Sequence, residues 1–433
     1  MSTPPALPRI VIVGGGAGGL PLATRLGKRL GKTRSAEITL VDSNSIHVWK
    51  PRYHEVATGA IDSDLDALDY RGHARMNHYR FELGLMAGVD RVKRELVLAP
   101  LFDDEGRLIL PERRLDYDYL VLAIGSQGND FNIPGVREHC LFLDTRAQAD
   151  RFHDRFLNIC LSANFADRPV SIAIVGAGAT GVELAAELHH AVTMLHRYGH
   201  RQLSRERLHV HLIEAGPRIL PALNERVAAA AHSRLELMGV NVYTSTQVTR
   251  ARENTFITGD GQEISADLLV WAAGIKAPAV LTGLGLETNR IGQIVVEPGL
   301  QAKGDQHILV IGDCASCTLE EGGKQIPPRA QSAQQMATQT AANLERLLRG
   351  ESVKPFNYQD RGSLISLSEF TSIGTLMGNL KGGQFFIEGW LARSMYISLY
   401  RLHQAALYGW PRTLLLLALG RFNRLVRPRL KLH

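Results

Sequence analysis

The stretch Arg9-Ile-Val-Ile-Val-Gly-Gly-Gly-Ala-Gly-Gly19 decides how this chain folds. A short β-branched apolar run enters Gly14-x-Gly16-x-x-Gly19, and residues 20–30 continue with the composition of a helix, so the order is strand, turn, helix. Gly14 permits the tight turn, Gly16 lets backbone approach a pyrophosphate, and Gly19 lets helix and strand pack closely, with Ala17 and Gly18 completing the turn. The helix N-terminus offers unpaired N–H groups to the phosphates. A second strand, Glu37-Ile-Thr-Leu-Val-Asp42, ends in a carboxylate placed to accept hydrogen bonds from a ribose diol. A glycine pattern alone is weak, because ordinary turns mimic it. Strand, helix start and terminal acid together predict a dinucleotide site.

The arrangement returns one domain's length later, in Val170-Ser-Ile-Ala-Ile-Val-Gly-Ala-Gly-Ala-Thr-Gly181 followed by Val182-Glu-Leu-Ala-Ala-Glu-Leu188. Gly176, Gly178, Ala179, Thr180 and Gly181 form its turn, and Glu183 stands at the start of its helix. The partner strand, Leu208-His-Val-His-Leu-Ile-Glu214, again ends in an acid, farther from the glycines than about twenty residues because residues 191–207 lengthen the crossover. Glu214 favours an unphosphorylated ribose, hence NADH over NADPH, although Arg218 keeps the phosphorylated cofactor open. Two such units imply two dinucleotides. Two further apolar strands run into glycine, one through Ala123 and Gly125 and one through Ala273 and Gly274. Another, Gln306-His-Ile-Leu-Val-Ile-Gly-Asp313, ends in Gly312 and Asp313; the acid suits a polyol such as a flavin's ribityl chain, or caps a helix.

The loop after Asp42 carries Lys50, a cation for a nearby ring or phosphate, or equally a solvated surface lysine. His47 and His54 lack other ligand types at metal spacing, so no metal is assigned. Residues 81–110 have the pattern of a β-meander, and residues 145–161 that of a helix.

A chain of 433 residues exceeds one core, and 45% hydrophobic with 21% charged residues is ordinary for a globular protein. The net charge of +6 concentrates near the end, where Arg421, Arg424, Arg427, Arg429 and Lys431 stand among leucines. Aromatics are not interleaved with these bases, which argues against nucleic acid and for an anionic lipid surface. Four cysteines are too few for a disulfide framework and point to a reducing compartment. Residues 1–8 carry no export signal, and no stretch has the apolar length of a spanning helix. From Glu388 onward two amphipathic helices are expected instead. The first sets Leu391, Met395, Leu399, Leu402 and Ala406 against Arg393, Ser394, Arg401 and Gln404. The second, after Pro411, sets Leu414, Leu415, Ala418, Leu419, Phe422, Leu425 and Val426 against Arg421, Asn423, Arg424 and Arg427. Ile397, Leu416 and Leu417 break these stripes.

Taken together, the first glycine turn, His47-x-Trp-Lys-Pro51, His54-Glu-Val-Ala-Thr-Gly59, the second glycine turn through Glu183, Trp271-Ala-Ala-Gly-Ile275, Gly312-Asp313 and Pro328-Arg-Ala-Gln-Ser-Ala-Gln-Gln335 resemble the type II NADH:quinone oxidoreductases, particularly the proteobacterial respiratory form. The resemblance covers essentially the whole chain. It implies an α/β fold of two Rossmann-like dinucleotide-binding domains, of disulfide-reductase-like flavoprotein type, plus a C-terminal amphipathic-helix membrane region. Residues 1–145 and 285–355 would form the FAD-binding domain, 146–284 the NADH-binding domain, and 356–433 the membrane-associating region. Non-covalent FAD would lie on Gly14, Gly16, Ala17, Gly18, Gly19, Asp42, Lys50, Ala123, Gly125, Gly312, Asp313, Ala330 and Gln331. NADH would lie on Gly176, Gly178, Ala179, Thr180, Gly181, Glu183, Glu214, Ala273 and Gly274. Gln331 and Gln335, one helical turn apart, would meet a quinone, ubiquinone or menaquinone, and Glu183 would relay protons or polarise the reacting pair; from spacing alone Gln331 and Gln335 read as a solvated helix face, and Glu183 as a helix-start residue. The expected protein is a non-proton-pumping respiratory enzyme, a homodimer, peripheral on the cytoplasmic face of the bacterial inner membrane. Two alternatives stand beside it. Cys314-x-x-Cys317 has the spacing of a redox pair, as a sulfide- or disulfide-type flavin oxidoreductase would need. A membrane-bound redox-sensing flavoprotein would share the same cofactor sites.

Overall fold

The computed structural model describes residues 6–64, 67–318, 323, 325–367, 371–377, 384–426 and 430–431. The chain forms two compact units, one from Met1–Trp49, Ala67–Gln127 and Ile275–Gln359, the other from Lys50–Asp66, Gly128–Gly274 and Asp360–His433.

In the first unit the sequence's two leading strands, Arg9–Val13 and Glu37–Asp42, pair in parallel at the centre of a six-stranded sheet. Tyr119–Leu122 and then Asp305–Val310 add in parallel on one side, and the short strand Gln301–Ala302 closes that edge antiparallel. Arg80–Leu83 adds in parallel on the other side. The sequence pattern put this segment in the meander; the meander itself is Met86–Asp90, Glu95–Leu98 and Arg113–Asp116. Val11, Val13, Leu120, Leu122, Ile308 and Val310 share one core, and each such side chain taken from water contributes roughly 1.5–3 kcal/mol. The helix Gly19–Leu26 buries Leu20, Leu22 and Leu26, and packs against Ala330–Leu348.

The second unit holds a four-stranded parallel sheet in the order Val240–Tyr243, Leu208–Ile213, Val170–Val175, Leu268–Trp271. Its crossover helix Ala179–Arg197 is 19 residues long, which accounts for the wide spacing between the second glycine turn and Glu214. Arg146–Ala166 begins at a capping box made by Thr145 and Gln148 and runs five residues past the expected end, stopping at Asp167 with φ of 51°.

The C-terminal part of this unit contains a three-stranded antiparallel sheet, Gly362–Leu367, Thr371–Met377 and Gln384–Glu388, that the sequence pattern did not reveal. The two expected helices follow as Gly389–Tyr408 and Trp410–Val426, separated by Gly409. No helix among the described residues is long and apolar enough to cross a membrane. The exposed stripe of the first runs through Trp390, Ser394, Ile397 and Leu402, while Ala392, His403 and Leu407 are buried. Ile397 therefore belongs to the exposed apolar face, and Ser394 lies on that face rather than opposite it. On the second helix Leu414, Leu415, Leu416 and Leu419 are all exposed and Thr413 is buried. Lys431, grouped above with bases facing lipid, is instead docked on its own unit: its N–H donates to the Gly59 carbonyl at 2.8 Å, and its Nζ lies 3.5 Å from Asp62 and 3.6 Å from Asp64. Arg427 and Arg429 lie outside the described residues, as do the side chains of Leu391, Phe422, Leu425 and Val426 and of the expected polar set Arg421, Asn423 and Arg424.

A Cβ at Gly19 would stand 1.8 Å from the Gly14 carbonyl oxygen, and one at Gly181 would stand 2.0 Å from that of Gly176. Backbone cannot yield like a flexible side chain, so Gly19→Ala and Gly181→Ala are each expected to cost about 1–3 kcal/mol of stability in chemical denaturation. Gly16→Ala, with nothing within 4 Å of its Cβ, is expected to leave stability unchanged within about 1 kcal/mol.

Candidate active site

In the first unit the glycine turn has the geometry of a phosphate cradle. Gly14, at φ of +100°, passes under the Ala123 carbonyl so closely that a Cβ would sit 2.4 Å from that oxygen. Gly16 is exposed, with open space where its side chain would be, as a backbone that must admit an anion requires. Asp42 accepts from the Gly15 N–H at 2.7 Å through one carboxylate oxygen and from the Asn44 N–H at 2.8 Å through the other. Asn44 Nδ2 also donates to the second oxygen at 3.1 Å, so the acid is held in place while the oxygen facing Gly15 keeps a lone pair for a sugar hydroxyl. Tyr70, which carried no signal in the sequence, donates its buried hydroxyl to the Gly15 carbonyl at 2.8 Å.

Two more elements converge on this turn. Ala333, in the first turn of Ala330–Leu348, lies where Cβ atoms at Gly18 and Gly312 would make contacts of 3.3 Å. That helix begins at Ala330 and Gln331 without a side-chain cap from Arg329, and its N-terminus carries the positive end of the helix dipole. Asp313 accepts from the Ser126 hydroxyl at 2.8 Å, an orienting partner the sequence reading missed. Gly14, Gly16, Gly18, Gly19, Asp42, Ala123, Gly312, Asp313 and Ala330 thus occupy one edge of the first unit's sheet. Gly125, at φ of +73°, follows Ala123. Gln335 uses its amide in both directions: its nitrogen donates to the Gln359 carbonyl at 2.8 Å, and its oxygen accepts from the Gln359 N–H at 3.0 Å. One N–H and one lone pair are left for any other partner.

The second unit repeats the cradle. A Cβ at Gly176 would meet the Ala273 nitrogen at 2.6 Å, Gly178 faces open space, and Ala179 and Thr180 are exposed at the helix start. Glu214 accepts from the Ala177 N–H at 2.9 Å and the Gly216 N–H at 2.8 Å, in the manner of Asp42. Arg218 turns its guanidinium to the Leu223 and Pro221 carbonyls, at 2.9 and 3.1 Å, and so is committed to its own loop.

Also in the second unit, Glu183 is buried on the crossover helix. Its Oε1 accepts from the Ser366 N–H at 3.0 Å and its Oε2 lies 3.7 Å from His54 Nδ1. Burial pushes its carboxyl up to about 8, with the charges of Glu55 and Glu187 adding to the shift and the Ser366 hydrogen bond opposing it. Burial also lowers His54, so acid and imidazole are both neutral at neutral pH. Burial raises Tyr396, and the charges of Glu183 and Glu55 add to the shift. Arg52 pairs with Glu55 at 2.7 Å and lies 4.5 Å over the Tyr400 ring. Ser366, Tyr396 and Tyr400 join this cluster from the C-terminal elements; neither motif nor periodicity marks them. Lys50 belongs to this unit as well, its Nζ 3.5 Å from Asp144.

All four cysteines are buried thiols, and burial raises Cys314 to about 12 and Cys317 to about 11. Burial thus disfavours at both the thiolate form that disulfide chemistry uses.

The pyridine nucleotide-disulphide oxidoreductase family matches residues 8–337. A type II NADH:quinone oxidoreductase of Haemophilus influenzae is 46% identical over 98% of this chain and 99% of its own. The NDH2 of Plasmodium falciparum, solved in complex with NADH, superposes with a TM-score of 0.79 at 17% identity, covering 93% of this chain and 97% of that one. The sulfide:quinone oxidoreductase of Aquifex aeolicus gives 0.72 at 17% identity, over 93% and 92%. The two structural likenesses establish the fold, and the close relative, with its matching length, establishes the branch: the chain belongs to the pyridine nucleotide-disulphide oxidoreductase family and, within it, to the type II NADH:quinone oxidoreductases.

Proposed function

We propose that this chain passes two electrons from NADH to a membrane quinone through non-covalently bound FAD, without pumping protons. The observation that carries the reading is the duplicated cradle, in which each glycine turn opens to an anion beside a carboxylate fixed by two backbone N–H groups. When bound, FAD supplies the redox chemistry that couples a hydride donor to a quinone.

The chain's own residues bind, orient and handle protons. Gly14, Gly16, Ala17, Gly18 and Gly19 receive the FAD pyrophosphate, Asp42 its ribose and Asp313 its ribityl chain, while Ala123, Gly125, Gly312, Ala330 and Gln331 frame the flavin. Lys50 pairs with Asp144. Gly176, Gly178, Ala179, Thr180 and Gly181 receive the NADH pyrophosphate, Glu214 its adenosine ribose, and Ala273 and Gly274 its other half. Gln331 and Gln335 would meet the quinone, Gln335 with the N–H and lone pair that Gln359 leaves it. A quinone takes up two protons on reduction, and Glu183, a neutral acid at neutral pH, holds one to give.

The test of the nucleotide assignment is Glu214→Gln. The amide removes the charge that repels a 2′-phosphate and can satisfy only one of the two N–H groups on Glu214. The ratio of kcat/KM for NADH over NADPH is therefore expected to fall by roughly tenfold, with KM for NADH rising. An unchanged ratio removes Glu214 from the ribose site.

Glu183 has a folded-state pKa raised above its unfolded value, so the stability it confers as a neutral acid is complete below about 4.5 and is lost as pH rises through about 8. Glu183→Gln keeps the neutral form. Its thermal midpoint is expected to fall less than that of the parent between pH 6 and 9, and parallel profiles would rule out a titrating Glu183 in this range.

The C-terminal helices are proposed to hold the enzyme on the cytoplasmic face of the bacterial inner membrane. Leu414 and Leu415 are 59% and 60% exposed, and Trp410 is 57% exposed, a density of solvent-facing apolar groups that suits a lipid interface. Replacing both leucines with glutamate is expected to cut sedimentation with anionic vesicles at least tenfold while FAD stays bound. A doubly substituted protein that still pellets but changes from dimer to monomer would assign the face to a second copy of the chain.

A further inference from the structure

The order of strands in the second unit limits how a dinucleotide can lie across it. With the pyrophosphate at the turn after Val170–Val175 and the adenosine ribose at Glu214, which follows Leu208–Ile213 on one side, the remaining half must cross the end of Leu268–Trp271 on the other. There Ala272 and Ala273 press on Gly176, and Gly274 is exposed, with φ of +62°.

An aromatic ring stands on this spot. A Cβ at Gly274 would come within 2.4 Å of Phe131 Cζ, so only glycine lets the ring lie so near the backbone. Phe131 is 54% exposed and has a backbone φ of +49°, both unfavourable for a phenylalanine with no other role. Three hydrogen bonds hold it there: Asn129 N–H donates to the Gly274 carbonyl at 3.3 Å, Trp271 Nε1–H to the Asn129 carbonyl at 2.7 Å, and Phe131 N–H to Asn129 Oδ1 at 3.0 Å. Trp271, buried in the core, anchors the set to the sheet.

We infer that Phe131 is a specificity residue whose ring packs against the nicotinamide half of NADH, fixing it over the end of Leu268–Trp271. The inference rests on the assignment of NADH to the second glycine turn. A fixed aromatic face is complementary to a planar nicotinamide ring and adds selectivity for it at the opposite end of the ligand from Glu214.

Calorimetric titration of the full-length, FAD-loaded protein with NAD+ and with ADP-ribose, which lacks the nicotinamide, separates the possibilities. Phe131→Ala is expected to weaken NAD+ by roughly five- to tenfold while leaving ADP-ribose within about twofold of the parent, and Phe131→Tyr, which keeps the ring, to restore NAD+ affinity. Unchanged NAD+ affinity in Phe131→Ala overturns the inference, as does parallel weakening of both ligands, which would mean that the ring merely supports its loop. If the unsubstituted protein fails to bind ADP-ribose, the assignment of the second turn fails first and takes the inference with it.

Discussion

The structure depends on a close approach made twice, in which the start of a helix closes onto the carbonyl of the glycine that ends a strand. The space left for a side chain at Gly19 and Gly181 is 1.8 and 2.0 Å from that oxygen, less than any non-bonded contact allows. Because the helix is drawn in so far, its terminal N–H groups and the backbone at Gly16 and Gly178, which has open space where a side chain would be, are brought to the carboxyl edge of a parallel sheet. Packing and binding are thus one constraint: the residues that cannot carry a side chain for steric reasons stand beside those that must not carry one if an anion is to enter.

The two carboxylates extend the same logic. Asp42 and Glu214 each terminate the neighbouring strand and each spend one lone pair per oxygen on backbone N–H groups. These bonds fix the acid before any ligand arrives, which lowers the ordering cost of binding. Glu183 is governed by the opposite effect. Buried with one backbone donor and a neutral imidazole for company, it is disfavoured as an anion.

What the sequence disclosed was local. The glycine turns, the acids at strand ends and the long crossover were legible because each is written within some forty residues and answers to backbone geometry. Arg80–Leu83 was misplaced because a parallel edge strand is paired through a distant crossover that no short pattern records. The sheet formed by residues 362–388 carries no glycine motif. Tyr70, Ser126 and Ser366 act through hydrogen bonds to Gly15, Asp313 and Glu183, each at least 55 positions away. The helical wheel found exposed leucines of the C-terminal helices but set Ser394 on the opposite side and left Ile397 as a break in the stripe, since the buried face is set by a sheet the wheel does not contain. Charge was the least transferable signal, because Lys431, basic and terminal, is held by Asp62 and Asp64 of its own unit.

The account stands or falls on a redox cycle confined to NADH, flavin and quinone. Anaerobic stopped-flow spectroscopy of the purified protein follows it directly. The visible flavin absorbance is expected to bleach on mixing with one equivalent of NADH and to return on a second mixing with a soluble quinone, with no thiol or sulfide present. A flavin that NADH leaves oxidised while sulfide or a dithiol reduces it, or a reduced flavin that quinone does not reoxidise, would contradict the account.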